Sequence, residues 1–348
     1  MRFYNGNHQF YCGIDLHKRS LYLCLINKKR DILAHRPVRN SRTDILLKYL
    51  EPYKEDLVVS AESCYGWYWL ADFCKDHDIE FVLGHALYMK AIHGGKVKND
   101  RIDSKKIALL TQGGLLPMAY VYPREHRALR DLLRRRLNFV AHRADLCGHI
   151  QALNTQCNNP TLKKVKQSKK DRPLIPERFE NAETRKSVEV DIDMINYYDK
   201  LIAKLEWHIK AAARKTYRKE IAVLKSIKGV GDTIALTIVL EIGDISRFPD
   251  AGKFASYARL VRGSFQSANK KYKSKGKKIG NPYLKRVLSE AAMLASGYNP
   301  EIEKWRKRRE KKHGKGKSYA ILAHKLGRAC YYMLKRGKAF DMDLFLRG

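Results

Sequence analysis

Apolar runs of strand length are concentrated in residues 10–84 of this 348-residue chain, and helical spacing takes over afterwards. FYCGIDLHK and LYLCLIN run apolar or alternate, and NKKRD leads the second into DILAHRPV. Tight turns between short apolar runs predict three strands. LVVSAE and IEFVLG read as two more. Helices are expected through DILLKYL (capped by Ser41 or Thr43), through GWYWLADFCKDH, near ALYMKAI, and through SKKIALLTQGG to Gly113. Three antiparallel strands, then alternating helix and strand, is the order of an RNase H-like α/β domain over residues 1–123. Next come REHRALRDLLRRRLNFVAHRADLCGHIQALN and DIDMINYYDKLIAKLEWHIKAAARK, with apolar residues at helical spacing. They predict a coiled-coil arm over 124–220, two long antiparallel helices with a mobile connection at 158–187. The rest, 221–348, reads as helical throughout.

Charge divides the chain at the same place. Of 70 Lys and Arg against 36 Asp and Glu, a net +34, residues 1–123 hold 18 and 13, and residues 124–348 hold 52 and 23. Such an excess repels itself unless a polyanion neutralises it, and nucleic acid is the default partner. The Arg-rich first arm helix is one candidate face for it. No apolar stretch reaches the ~20 residues of a membrane span, and the N-terminus carries no signal-type apolar segment. Neither a membrane protein nor a secreted one is therefore expected, and a cytoplasmic protein is. Seven scattered cysteines without a CxxC argue against a disulfide framework or a structural zinc site and fit buried free thiols. The aromatic cluster Tyr65, Trp67, Tyr68 and Trp69 is expected in the core, and His17 and His93 as satisfied or exposed histidines.

Four acids stand out by position. Asp15 lies inside the apolar run CGIDLH, Glu62 ends LVVSAE, and Asp100 and Asp103 open a helix in KNDRIDSKK. Burying carboxylates is expensive, and clustered ones repel unless a divalent cation compensates them. Mg2+ (or Mn2+) takes hard oxygen ligands and keeps waters for phosphate oxygens. Two such ions ~4 Å apart can support in-line displacement at phosphorus. Further on, Gly229-Val230-Gly231 separates two apolar helices, the pattern of a helix-hairpin-helix whose backbone N–H groups can meet a phosphate. Six lysines, Lys270, Lys271, Lys273, Lys275, Lys277 and Lys278, crowd residues 270–278.

FYCGIDLHKRSLYLCLI, VVSAESCYGWYWLADFC and KVKNDRIDSKKIALL together resemble the RuvC-like domain of the DEDD insertion-sequence transposases (the insertion-sequence one-ten family), which include the Piv-type DNA invertases. The family's acids fall on Asp15, Glu62, Asp100 and Asp103, with Ser104 where alanine is usual. The block FASYARLVRGSFQSANKKYKSKGKKIGNPYLKRVLSEAAMLAS resembles the family's C-terminal transposase domain, through Gly280-Asn281, Leu284, Leu288 and Ala291-Ala292. There the family's serine falls on Ser267, with Ser264 as the fallback. Ala268 and Asn269 replace glycines, Arg262 a proline and Lys285 an arginine.

The resemblance implies recombination of donor and target DNA through a phosphoserine intermediate, assisted by the Mg-binding carboxylates. A serine hydroxyl needs a base, a metal or a dense positive field, and Arg262, Lys270 and Lys271 could supply field. It also implies guidance by a structured non-coding bridge RNA and a homo-oligomer, a dimer of dimers. The expected domains are 1–123, RuvC-like; 124–220, the arm; and 221–348, the helix-hairpin-helix and serine-containing part. A metal-dependent nuclease or junction resolvase would use the four acids on water and would not need Ser267. A non-catalytic nucleic-acid binder would need neither.

Overall fold

The computed structural model describes residues 2–92, 99–162, 169–261, 264–267, 270–273 and 279–347, with the backbone alone at 90–92, 264–267 and 270–273. Two compact units result, 1–125 and 126–348. In the first, β1 (Phe10–Leu16), β2 (Ser20–Asn27) and β3 (Ile32–Arg39) form an antiparallel meander. Strands β4 (Leu57–Glu62) and β5 (Glu80–Gly84) join in parallel, giving the order β3-β2-β1-β4-β5 with β1 at the centre.

Both faces of β1 are covered, which explains its continuous apolar run. Cys12, Ile14 and Leu16 pack with Leu46 and Leu50 of α1 (Thr43–Leu50) and with Leu70 and Cys74 of α2 (Trp67–Asp76). Tyr11 packs on the opposite side with Ile107, Ala108 and Leu110 of α4 (Asp100–Gln112). A short α3 (Ala86–Ile92) follows β5. Neither Ser41 nor Thr43 caps α1: Arg42 holds that position without a side-chain cap, and its guanidinium is tied to Asp44 at 2.7 Å.

In the second unit, α5 (Arg124–Gln156) and α6 (Ala182–Thr216) run antiparallel. Arg136, Arg143 and His149 of α5 meet Glu206, Asp199 and Asp191 of α6, so partners fall along α6 as they rise along α5. Several arginines of α5, one candidate face for nucleic acid, are thus engaged inside the protein. Arg127 and Arg130 are buried, and Arg134 pairs with Glu241. Part of the connection expected to be mobile is packed. Ile175 and Phe179 are buried with Ile150 and Val188. Arg172, 1% exposed, reaches Asn196 and Asp199 at 2.7 Å each.

The main core of this unit combines the base of the arm (Leu133, Ile209, Ala213) with α7 (Arg218–Lys225), α8 (Asp232–Ile242), α9 (Ala251–Tyr257), α10 (Pro282–Tyr298), α11 (Pro300–His313), α12 (Lys315–Arg336) and α13 (Met342–Arg347). The region is not helical throughout. β6 (Ser264–Ser267) and β7 (Lys270–Lys273) pair antiparallel, with Phe265 opposite Tyr272. Aromatic residues in matching positions favour strand pairing over a helix. No helix among the described residues is long and apolar enough to cross a membrane. The cysteines are free, and most are buried, as expected; Cys64 is half-buried and Cys157 exposed.

Candidate active site

Strand β1 exposes its chemistry through a glycine. Side chains alternate along a strand, so Tyr11, Gly13 and Asp15 share the face that meets α4. A Cβ on Gly13 would stand 2.2 Å from the Ser104 carbonyl oxygen and 2.3 Å from the Ala108 nitrogen. The helix backbone therefore rests on the strand at a point where only glycine leaves room. That contact sets the start of α4 beside the end of β1, with Asp100 and Asp103 in the helix's first turn. Asn99 fixes the start by accepting the Arg101 amide at 2.9 Å.

Asp15, with a side chain 16% exposed, and Asp100 meet across His17, whose Nε2 lies 3.3 Å from Asp15 Oδ2 and 3.2 Å from Asp100 Oδ1. These three can offer ligand atoms within 4.8 Å of one another. Burial pushes the Asp15 carboxyl above its ordinary range. His17 pulls it down, and Asp100 and Asp103 push it further up. Asp103 also meets Lys106, at 3.4 Å. Glu62 ends β4 at the same edge of the sheet: the parallel register pairs Ile14 with Ala61, so Asp15 and Glu62 are the next residues of their strands. Burial raises the pKa of the Cys64 thiol, and both Glu62 and Asp15 add to it.

Of the residues expected here, Asp15 and Asp100 come together directly, Asp103 lies within electrostatic reach, and Glu62 stands one strand over. His17 is exposed and satisfied, as expected, and its partners are the two site aspartates, Asp15 and Asp100. Its signal is position, two residues past Asp15 and just beyond the end of β1. Gly13 was not singled out; a glycine inside an apolar strand, two residues before an acid, was the signal. His93 lies outside the described residues. Tyr65 projects fully into solvent, against its expected place in the core, whereas Trp67 is buried.

The donor set fits a divalent cation. Two aspartates converge at one point beside His17, and burial, with Asp100 and Asp103 adding to it, raises the Asp15 pKa more than His17 lowers it. Carboxylate oxygens suit Mg2+ and Mn2+, and the imidazole is the better match to Mn2+.

In the second unit, Gly229 has φ +101°, and a Cβ there would meet the backbone of Leu294 and Ala295 at 2.9 Å. It lets the turn between α7 and α8 touch α10. Gly231 occupies the position before α8, with open space where a Cβ would go. Asp232 holds the first turn of α8 and pairs with Lys225 and Lys210. Ser264 and Ser267 are the ends of β6, and Lys270, Lys271 and Lys273 belong to β7; Ser267 and Lys270 are register partners. Arg262, Lys275, Lys277 and Lys278 lie outside the described residues.

Gly280-Asn281 anchors the segment that follows this hairpin. Asn281 accepts from the amides of Tyr283 and Leu284, donates its own amide to Tyr257 at 2.6 Å, and donates Nδ2 to Glu241 at 2.7 Å. Glu241 is completely buried and takes two bonds from Arg134, at 2.6 and 2.7 Å.

Both site regions fall inside segments that match known families. Residues 12–159 match a DEDD-type family described as "Transposase", and residues 221–306 match the "Transposase IS116/IS110/IS902 family". The transposase for insertion sequence element IS1533 of Leptospira borgpetersenii is 23% identical over 81% of this chain and 84% of its own length. The transposase for IS1111A of Coxiella burnetii is 24% identical over 94% and 90%. With the acid-bearing and serine-bearing segments both matched, in this order along one chain, the protein belongs to the IS110-type DEDD family of insertion-sequence transposases, enzymes of DNA strand transfer.

Proposed function

We propose that this protein cuts and rejoins DNA strands through a phosphoserine intermediate, with Asp15, Glu62, Asp100 and Asp103 as its metal-binding carboxylates and Ser267 as its nucleophile. The observation that carries this reading is the Asp15–His17–Asp100 cluster at the end of the central strand. The strand order β3-β2-β1-β4-β5, with helices on both faces, supports an RNase H/RuvC-like assignment for residues 1–123. The remaining domains are the arm, 124–220, and the helix-hairpin-helix and serine-containing part, 221–348.

Asp15, Glu62, Asp100 and Asp103 would hold Mg2+ or Mn2+, which supplies Lewis-acid stabilisation of charge developing on a phosphate. His17 orients Asp15 and Asp100 toward the shared point. Ser267 Oγ forms a bond to phosphorus as the bond to the leaving strand oxygen breaks. The serine proton leaves with that oxygen or to solvent. Attack by a second strand's hydroxyl reverses the exchange and frees the serine, so no nucleotide cofactor is consumed. Lysines of β7 and the 274–278 segment, with Arg262, supply positive field. The partners are donor and target DNA, a bridge RNA that pairs with both, and further copies of this chain in a dimer of dimers, in the cytoplasm of a prokaryotic cell.

A nuclease reading is favoured by one feature: the acid cluster lies wholly within residues 1–125 and needs no serine to activate water. Suicide DNA substrates with Mn2+ separate the two. The expected result is a covalent protein–DNA adduct, lost in Ser267→Ala and in Asp15→Asn and retained in Ser264→Ala. Cleavage by Ser267→Ala at the wild-type rate, with no adduct, would establish the nuclease.

A further inference from the structure

A groove of about 830 Å3 opens among α11, α12 and α13. That lies inside the range of ~300–1,000 Å3 typical of small-ligand sites. Most of its lining lies beyond residue 306, outside both family-matched segments. Trp305 and Phe345 form a buried apolar floor, and Phe340 and Leu344 extend it outward.

Cations converge on these rings. The Arg309 guanidinium stands 3.3 Å from the Trp305 ring centroid, and the Lys325 ammonium 4.8 Å from the same centroid and 5.1 Å from that of Phe345. Arg336 lies over the ring of Tyr332 at 5.1 Å, and Tyr332 is 40% exposed. Arg328 and Lys338, both exposed, complete the rim. Asp341 is the acid among the lining residues, and its carboxylate accepts the Leu344 amide at 2.9 Å. Burial lowers the pKa of Lys325, with Arg309 lowering it further.

A ligand that relieves this charge must be anionic, and one that covers the walls must be apolar and flat. An acyl chain would displace the cations from the ring faces, whereas a base enters as one more planar layer. We propose that the groove is a subsite for an unpaired nucleotide within a nucleic-acid strand. Its base stacks at Tyr332 and Phe340, and its phosphates meet Arg328, Arg336 and Lys338. The inference deepens the nucleic-acid reading above and rests on it for the presence of such strands.

The test uses the full chain and labelled probes: a blunt DNA duplex, the same duplex with a short unpaired bulge, and an RNA duplex with an equivalent bulge. Wild type is expected to bind a bulged probe more tightly than the blunt one. The RNA and DNA arms show which strand supplies the nucleotide. Tyr332→Ala should weaken bulge binding roughly five- to hundredfold and leave blunt binding unchanged, as loss of one stacking partner does. Tyr332→Phe should retain it. Lys338→Gln, at an exposed position, should lower the salt dependence of bulge binding by about one charge.

Equal loss on both probes, or no loss, in a Tyr332→Ala protein with an unchanged melting curve would overturn the subsite. So would displacement of the bulged probe by anionic lipid vesicles with the same dependence on Tyr332. The two readings fail separately. Bulge preference without a DNA adduct leaves the groove standing and removes the strand-transfer reading; an adduct without bulge preference does the reverse.

Discussion

At the residue scale, the acid site is held at a cost to the fold. Asp15 sits largely buried in the central strand, and His17, among the described residues, offsets its charge against Asp100 and Asp103. Its carboxyl therefore takes up a proton at higher pH when folded than the ordinary Asp value of ~3.9. Between that value and the raised one, the folded state binds more protons than the unfolded state. Stability from this group consequently falls as pH rises through the window, and the penalty is complete above it. Asp15→Asn should raise the Tm of the chelator-treated protein at pH 7, and the gap to wild type should narrow as pH approaches 4. A lower Tm for Asp15→Asn, or a gap independent of pH, would mean that the His17 contact outweighs the burial. The acids themselves were legible because a carboxylate inside an apolar run is conspicuous. His17 and Gly13 were not, because their importance depends on where α4 lands on β1, and no periodicity in the chain reports that.

At the element scale, the strands and helices of residues 1–125 followed their apolar patterns closely, since both faces of the sheet are covered and each run states its own burial. The β6–β7 hairpin is hard to read from sequence because three lysines and two serines mask its alternation. The arginines of α5 are ambiguous for a related reason: a solvated basic face and a set of internal ion pairs look alike until α6 supplies Glu206 and Asp199. Gly280-Asn281 was visible as a family block, but its work is physical. Asn281 starts α10 and ties Glu241 to the chain just after the hairpin. Glu241 has no exposure and depends on Arg134 for two bonds. Removing one partner of a buried pair typically costs ~3–5 kcal/mol, because the other charge stays in place. Arg134→Ala should therefore lower the denaturant midpoint of this unit by that order. Arg134→Lys should recover part of it, since a lysine keeps the charge but loses the paired geometry. Unchanged midpoints in both variants would show that Glu241 does not depend on Arg134.

At the scale of the whole molecule, the acids and the excess positive charge occupy different parts of the chain, with 52 basic against 23 acidic residues after position 123. Many arginines of α5 are spent on internal acids, so the charge left for a polyanion is weighted toward the lysines of residues 270–278 and the helices after them. Binding to DNA at phosphates releases counterions, and log K falls with log salt by ~0.9 for each phosphate neutralised. Replacing Lys270, Lys271 and Lys273 with Gln should therefore reduce the slope of a duplex-binding titration by two to three, roughly one per lysine engaged. Asp15→Asn should leave the same slope unchanged, because the acids would act on the scissile phosphate and not on the bulk of the backbone. The distinction matters for the division of labour. If the triple lysine variant kept the wild-type slope while still failing to form an adduct, β7 would act at the reacting phosphate alone, and the polyanion would have to be carried by α11 and α12.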